Sequence, residues 1–408
     1  MCADVVQFLG RTHDAESPPS NTGGVDCNDF AFRSPDCQSN PQPHAGSARP
    51  RVTVREVFPA ELSSHQLDLW SRFQSRNAAL ISPYFCPEFT LAVGRVRQDA
   101  RVAIIDVAGT VVGFFPYQRR AFGLAAPIGG PLSDYQGIIA HPDISIDAAE
   151  LLRCCGLAGF EFTNLLASQV AFKPYQRRTD PSHQIDLSEG LDAFFAERRQ
   201  AGSDVISTTM RKRRKLEREV GALRWVLKDT DPASLDTLIE WKRQQYRRTR
   251  ALDGFKFGWP LALLKDLHRI DAPGFGGVLS TLWVGDRMIA GHMGMRSRTA
   301  WHYWFPAYDP AYGHYSPGQI MLLMMIETCA DLGTHIIDMG KGEYRHKLRL
   351  TNRATDVAEG YVGRPSVPTF VRTLRHGIEH TFERLPLGSF SQWPRKAFRR
   401  IDAYLSHL

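Results

Sequence analysis

The sequence predicts an α/β (α+β) protein made of two tandem modules, each with a mixed, mainly antiparallel sheet. Hydrophobic residues make up 43% and charged residues 23% of the 408 positions, a composition typical of a soluble globular protein. Runs of β-branched and aromatic residues are split by short turns, which indicates antiparallel strands. The order strand, strand, strand, helix, strand also occurs twice, which indicates a duplicated unit.

The first copy of this order lies in residues 51–195, which we call the N-terminal module. Alternating and helical hydrophobic periods predict its elements. In order, these are a strand over 51–58, a helix over 60–77, strands over 101–109, 110–120 and 132–140, a helix over 147–159 and a strand over 160–167. Residues 1–50, rich in Ser, Pro, Asn and Gly, are expected to form a flexible leader.

The second copy lies in residues 196–375, which we call the C-terminal module. It is predicted to contain three strands within 276–308, a helix over about 318–332 and a strand over 335–340. A helix over 203–221 precedes them and carries a dense run of basic residues, "RKRRK". Residues 376–408 read as a basic amphipathic segment.

The net charge and the cysteine content indicate which binding partners and which cellular compartment to expect. The formal net charge of +7 suits anionic partners such as phosphates, nucleotides or an acidic membrane face. The seven cysteines are odd in number and show no C-x-x-C pairing, so we expect reduced thiols and no metal site. No signal peptide and no stretch of about 18 apolar residues is evident, which favours a cytoplasmic protein.

The loop "YGHYSPGQIM" (312–321) is a candidate phosphate site. Ser316 is a suitable N-cap and Pro317 suits the first helical turn, so a helix should begin here. Backbone N–H groups and the positive end of the helix dipole could bind a phosphate at Tyr315, Gly318 and Gln319. The alternative is that Ser-Pro simply caps a helix. No Walker or dinucleotide glycine motif is present, which argues against those nucleotide folds.

The segment "IDMGKGEYRHK" (337–347) is a candidate catalytic segment. Asp338 ends a strand, and two glycines allow the chain to turn. Several charged residues, among them Lys341, lie in and after this turn. Tyr344, His346 and Lys347 follow, so the group could supply a base, an acid or phosphate ligands. The alternative is a turn that leads into a solvated short helix.

Three further sets of polar residues are candidates for substrate binding. His302 stands in the aromatic strand "HYWFPAY", where packing is the alternative role. Asp134 and Tyr135 follow a Gly-Gly-Pro turn, and the alternative is that they belong to the turn only. Arg211 and Arg214 on the basic helix could bind a phosphate or RNA, or form a solvated face.

Three motifs carry a resemblance to a known family: "YDPAYGHYSPGQIMLL" (308–323), "GTHIIDMGKGEYRHK" (333–347) and "MRKRRKLERE" (210–219). With them the C-terminal module resembles the GNAT-type acyltransferase domain of the FemAB-like superfamily, and most closely its CelD branch of cellulose or exopolysaccharide biosynthesis proteins. "PLSDYQG" in the N-terminal module is similar to that branch. The resemblance departs from the family's closing Tyr-Lys pair, because His346 precedes Lys347 here; Tyr344 is the alternative tyrosine.

The resemblance implies two tandem GNAT-like folds and an acyl donor, acetyl-CoA or another acyl-CoA, with its pyrophosphate at Ser316–Gly318. It implies N- or O-acetylation of a sugar or nucleotide-sugar precursor of a bacterial polysaccharide. Asp338 would remove a proton or position the acceptor, Tyr344 or His346 would donate a proton, and Lys347 would bind an anion. One alternative is aminoacyl transfer from tRNA, although no other nucleic acid is expected. Another is a degenerate scaffold docked on the anionic inner membrane.

Overall fold

A computed structural model describes residues 52–141, 144, 146–342 and 348–363, and it joins fourteen strands into one sheet. The strands are β1 (Val52–Val57), β2 (Ala100–Val107), β3 (Thr110–Arg119), β4 (Leu124–Pro127), β5 (Ile139–Ala140), β6 (Gly159–Leu166), β7 (Gln176–Asp186), β8 (Leu223–Val226), β9 (Asp271–Ala272), β10 (Phe275–Val284), β11 (Arg287–Arg296), β12 (Ala300–Tyr308), β13 (Ile336–Lys341) and β14 (Arg353–Gly363). The leader and the basic C-terminal segment predicted from sequence lie outside the described residues.

The sheet is mixed and mainly antiparallel, which confirms the predicted fold class. Its strands run in the order β1, β2, β3, β4, β6, β14, β7, β13, β12, β11, β10, β8, with β5 paired to β3 and β9 to β10. Within the described part of the chain, the parallel strand pairs are β4 with β6 and β12 with β13. In each module the second strand of the parallel pair follows an α-helix, Ala148–Cys154 before β6 and Pro317–Thr328 before β13.

Eight α-helices of the described residues cover the two faces of the sheet. They are α1 (Ser64–Arg76), α2 (Pro87–Val96), α3 (Ala148–Cys154), α4 (Leu191–Gln200), α5 (Val205–Glu219), α6 (Pro232–Thr249), α7 (Trp259–His268) and α8 (Pro317–Thr328). Helices α1, α2, α6 and α7 share one hydrophobic core that spans both modules. On the opposite face, α3 packs in the N-terminal module, whereas α4, α5 and α8 pack in the C-terminal module.

The two modules share strands at the centre of the sheet. Strand β14, from the C-terminal end of the described chain, lies between β6 and β7 of the N-terminal module. Strand β7 in turn pairs with β13 of the C-terminal module. Side chains from both halves of the sequence can therefore meet at this junction.

A wedge opens in the sheet between β12 and β13. Their parallel ladder runs from Ala300 and Ile336 only as far as His302 and Asp338. Beyond this pair, β12 bulges against β11, because two of its residues lie opposite the single residue Gly294. A β-bulge bends its strand, which accounts for the separation of β12 from β13. The wedge extends along the rest of β12, after which the chain passes through a 3-10 turn into α8.

The predicted strand over 132–140 is wrong for most of its length. Only Ile139 and Ala140 form a strand, and the residues before them form a short 3-10 turn and a loop. Gly129 and Gly130, just before this segment, have left-handed φ values of 77° and 50°, which start the turn that continues to Leu132. The Gly-Gly-Pro turn therefore displays Asp134 and Tyr135 on a loop.

The predicted helix over 318–332 is shorter in the structure. Helix α8 ends at Thr328, and a 3-10 turn continues to Leu332 before Gly333 stops it in the left-handed region. Among the described residues, none of the helices combines the length and the apolar character that crossing a lipid bilayer requires.

Candidate active site

Polar side chains from four segments converge where the wedge begins. His302 on β12, Asp338 on β13 and Gln184 on β7 are cross-strand partners in one row of the sheet. Residues directly opposite one another in neighbouring strands point to the same face, so these three side chains lie side by side. Asp134 and Tyr135 reach them from the loop of the N-terminal module. We call these five residues the junction network.

His302 lies between two carboxylates at the centre of the junction network. Its Nε2 is 2.9 Å from Asp134 Oδ2, and its Nδ1 is 3.5 Å from Asp338 Oδ1. Its side chain is fully buried, and burial disfavours the charged imidazolium. The hydrogen bond with Asp134 and the charges of both carboxylates outweigh that effect and raise the pKa of His302 to about 9. At neutral pH this histidine is therefore an imidazolium.

Asp338 accepts hydrogen bonds on both of its oxygens. Oδ2 accepts from the Tyr135 hydroxyl at 2.5 Å and from Gln184 Nε2 at 2.8 Å. Oδ1 accepts from the Gly340 amide at 2.8 Å and from Ser182 Oγ at 3.4 Å. Burial raises the pKa of Asp338, but His302 and the hydroxyl and amide donors lower it more, so the net shift is downward. Asp338 is thus a stable buried carboxylate.

Aromatic rings cover the junction network. Tyr84, in the 3-10 turn Pro83–Phe85, meets the His302 ring edge-on at 5.1 Å between centroids. Phe85 meets the Tyr135 ring at 6.3 Å. Such a cover excludes water and strengthens the electrostatic interactions beneath it.

Four members of the network were predicted as separate candidates from the sequence, and the fifth was not. Asp134, Tyr135, His302 and Asp338 were predicted from their local positions, and the structure brings all four together. Gln184 was missed because strand β7 itself was not predicted. Its signal was a polar residue next to an apolar one in "HQIDL", which is weak without knowledge of burial.

The remaining residues of the predicted catalytic segment do not join the described network. Lys341 lies at the end of β13, where its Nζ is 2.8 Å from Asp180 Oδ2. Tyr344, His346 and Lys347 lie outside the described residues, so their predicted roles stay predictions.

The start of α8 differs from the predicted cap. Ser316 occupies the N-cap position but adopts left-handed φ and ψ of 57° and 55°, and its side chain makes no capping hydrogen bond. An N-cap serine normally needs an extended backbone to reach the first-turn amides. Instead, Ser316 Oγ accepts a hydrogen bond from Lys212 Nζ at 2.8 Å. The Ser316 carbonyl accepts from the amides of Gln319 and Ile320.

Lys212 is a cation placed against the positive end of a helix. It belongs to α5, which packs along α8, and it also lies 3.5 Å from Gln319 Oε1. Partial burial and the nearby Arg211 lower the pKa of Lys212. Within the described residues no carboxylate pairs with it, whereas the neighbouring Arg213 pairs with Glu217 and Glu327. This concentration of positive charge favours an anion.

The same basic helix extends the positive surface outward. Arg211 and Arg214 are exposed on α5 next to Lys212. Strand β12 runs six residues from His302 to Tyr308, about 20 Å at about 3.3 Å per residue. The basic surface and the junction network thus lie at opposite ends of the wedge, separated by the length of an extended ligand.

Comparison with known proteins shows which fold family this chain resembles. Residues 203–348 match the family described as an acetyltransferase (GNAT) domain. Among solved structures, FemX aligns with 9% identity and a TM-score of 0.50, over 78% of this chain and 99% of FemX. A tandem GNAT protein from the clavulanic acid biosynthesis pathway aligns with 10% identity and a TM-score of 0.45, over 78% of this chain and 100% of that protein. The search of curated proteins finds no match.

The match confirms the expectation of an acyltransferase with a GNAT-type fold. It covers β8 to β13 and includes α5, α8, His302 and Asp338, but not Asp134 or Tyr135. Among the residues that the structure describes, no group of three or more His, Cys, Asp or Glu side chains could hold a metal ion.

Proposed function

We propose that the protein is an acyl-CoA-dependent acyltransferase, with acetyl-CoA as donor, that acylates an amine or hydroxyl of a sugar or nucleotide-sugar precursor of a bacterial polysaccharide. The observation that carries this proposal is the position of Lys212 at the start of α8. A cation beside a positive helix end, with no carboxylate partner among the described residues, is stabilised when an anion binds there.

In this proposal the donor pyrophosphate lies over the first turn of α8. Lys212 and the helix dipole attract it, and the exposed Arg211 and Arg214 neutralise further phosphate charge. The pantetheine arm extends along the wedge between β12 and β13, which is long enough for it. The thioester then lies near His302 and Asp338, at the end of the wedge where side chains of both modules meet.

Acyl transfer by direct attack needs few protein groups. The enzyme must orient donor and acceptor, remove one proton, and stabilise the developing oxyanion and the departing thiolate. The junction network supplies charged groups that are already held in place near the thioester. Asp338 positions the acceptor. Proton donation by Tyr344 or His346 and anion binding by Lys347 remain part of the proposal.

Two observations favour a sugar as the acceptor. The resemblance to the CelD branch favours a sugar, and the loop of Asp134 and Tyr135 offers polar groups of the kind that bind hydroxyls. Aminoacyl transfer from tRNA uses the same basic surface in principle, so the donor must be tested first.

Calorimetric titration of acetyl-CoA tests the donor proposal. We expect Lys212→Ala to weaken acetyl-CoA binding about 10- to 100-fold, because a charge-assisted hydrogen bond is worth about 1.5–3 kcal/mol. Lys265→Ala is the matched control: Lys265 pairs with Asp236 on another surface, and its loss should leave donor affinity unchanged.

Two outcomes would contradict the proposal. If the wild-type protein fails to bind millimolar acetyl-CoA, a scaffold role is favoured. If acyl transfer needs charged tRNA and is abolished by ribonuclease, the donor is an aminoacyl-tRNA.

A further inference from the structure

We infer that Asp134, supplied by the N-terminal module, is the catalytic carboxylate of the acyl-transfer site in the C-terminal module, and that His302 and Asp338 are positioning residues behind it. This inference rests on the proposed function, because it assigns the proton acceptor of that reaction. It goes beyond the matched acetyltransferase domain, which does not include Asp134.

Asp338 is poorly placed to accept a proton from a substrate. Its two oxygens accept hydrogen bonds from Tyr135, Gln184, Gly340 and Ser182, and only 2% of its side chain is exposed. A carboxylate with this many donors gains little from taking another proton, and a substrate would have to displace one of them.

His302 cannot reach a substrate either. Each of its ring nitrogens faces a carboxylate, and its side chain has no exposed surface. The Tyr84 ring covers it from the side. Its role is to hold the two carboxylates at fixed positions.

Asp134 is the most exposed member of the network, although it is still largely buried. Of its side chain 10% is exposed, compared with 0% for His302 and 2% for Asp338. Oδ2 is fixed by His302 Nε2, which orients the carboxylate. His302 forms the last rung of the ladder between β12 and β13, so Asp134 lies where the wedge begins.

The loop that carries Asp134 is held firmly to β6. The Ser133 carbonyl accepts hydrogen bonds from Gln136 Nε2 at 3.2 Å and Asn164 Nδ2 at 3.0 Å. Gln136 Oε1 accepts from the amides of Thr163 and Asn164, each at 3.0 Å. A catalytic group must be held to within a fraction of an ångström, and these bonds provide that support.

The proposed step balances without a further reactant. The acceptor nitrogen or oxygen attacks the thioester carbonyl and forms the new C–N or C–O bond. Asp134 takes the proton that the attacking atom loses. The C–S bond then breaks, and the thiolate leaves with one proton, equivalent to the one that Asp134 accepted. The products are the acylated acceptor and free thiol.

A carboxylate suits this timing. It is a mild base, so Asp134 does not deprotonate a free ammonium group. Once the acceptor has attacked, the proton on its nitrogen or oxygen becomes much more acidic, and a mild base then suffices.

The test compares Asp134→Asn with Asp147→Asn, a matched change at a carboxylate of the same module outside the junction network. Thiol release from acetyl-CoA is measured with glucosamine and with water as acceptors, and donor affinity by calorimetry. We expect Asp134→Asn to lower kcat about 100- to 1,000-fold, the usual worth of a general base, with donor Kd unchanged within twofold. Asp147→Asn should be as active as wild type.

A second variant separates catalysis from stability. Formate, a small carboxylate, should restore part of the thiol release of Asp134→Ala, because it can occupy the position of the missing group. It should not restore His302→Ala, which lacks a positioning residue. His302→Gln should lower kcat less than Asp134→Asn while donor Kd stays the same.

Several results would overturn the inference. One is an Asp134→Asn enzyme that keeps more than a third of wild-type kcat, and another is one whose loss of kcat is matched by a loss of donor affinity and thermal stability. A wild-type protein that binds acetyl-CoA but releases no thiol with either acceptor would also count against it. If the wild-type protein binds no acetyl-CoA, the proposed function falls as well, so the two failures are distinguishable.

Discussion

The two modules share an element order but differ at the start of the helix that follows their antiparallel strands. In the N-terminal module, α3 is capped by Asp147, whose side chain accepts from the Glu150 amide, and Glu150 adds a second negative charge to the first turn. In the C-terminal module, α8 starts at Ser316 without a side-chain cap, and Lys212 lies against it. One helix start carries its own anions, whereas the other favours an external anion.

In our proposal this difference reflects separate roles of the two modules. The C-terminal module keeps the features that suit a donor, namely the wedge, the uncapped helix and the basic helix α5. The N-terminal module instead contributes Asp134 and Tyr135 to the junction network. Shared strands β7 and β14 join the two modules in one continuous sheet.

The largest effect that we expect concerns the junction itself. The pKa of His302 is about 9 in the folded protein and near its ordinary value of 6.5 in the unfolded chain. The folded state therefore holds this proton more tightly, and its stabilisation is complete below pH 6.5 and lost as the pH rises through 9. The free energy of unfolding falls by roughly 3 kcal/mol over this range. The loss comes from the ion pairs of His302 with Asp134 and Asp338.

Urea denaturation between pH 6 and 10 measures this loss. His302→Gln should remove this part of the pH dependence, whereas His268→Gln, on α7, should keep it. If the variant and the wild type lose stability equally over this range, the junction is not held by a buried imidazolium.

An intermediate effect is expected when the α8 start is made like the α3 start. Ser316→Asp places a carboxylate beside Lys212, and aspartate tolerates the left-handed backbone better than most residues. It should compete with the donor phosphate and weaken acetyl-CoA binding by about 2 kcal/mol, roughly 30-fold. Ser316→Asn, which adds no charge, is the control. Equal donor affinity in the two variants would show that the α8 start does not bind the anion.

The smallest effect is expected at α3. Asp147→Ala removes the N-cap and should lower the free energy of unfolding by about 1 kcal/mol in urea denaturation. Donor affinity should stay the same, because this helix start serves structure only. A drop in acetyl-CoA affinity in this variant would contradict the proposed difference between the two helix starts.

The sequence predicted the fold class and several local candidates because these depend on short-range patterns. Strand-end and turn signals were enough to select Asp338 and Asp134 individually. Their convergence on one site was not predictable from such signals. Asp134 contacts His302, 168 positions away in the chain, and Asp338 contacts Tyr135, 203 positions away. Long-range strand pairing decides which distant residues meet.

Two other features could not be predicted from local sequence patterns. The insertion of β14 between β6 and β7 depends on pairing across the whole chain. The basic run of α5 suggested either a solvated face or a phosphate site, and its residues differ in their contacts. Arg213 is paired with glutamates, while Lys212 lies on the start of α8. These contacts depend on how α5 packs against α8, and the phosphate site stays a prediction.

The central claim is that one module binds the donor and the other completes its site. The most direct measurement is the stoichiometry of acetyl-CoA binding by calorimetric titration of the full chain. We expect one acetyl-CoA per chain, with binding weakened by Lys212→Ala and unaffected by Asp147→Ala. Two donors per chain, or one whose affinity depends on Asp147 and not on Lys212, would contradict the claim.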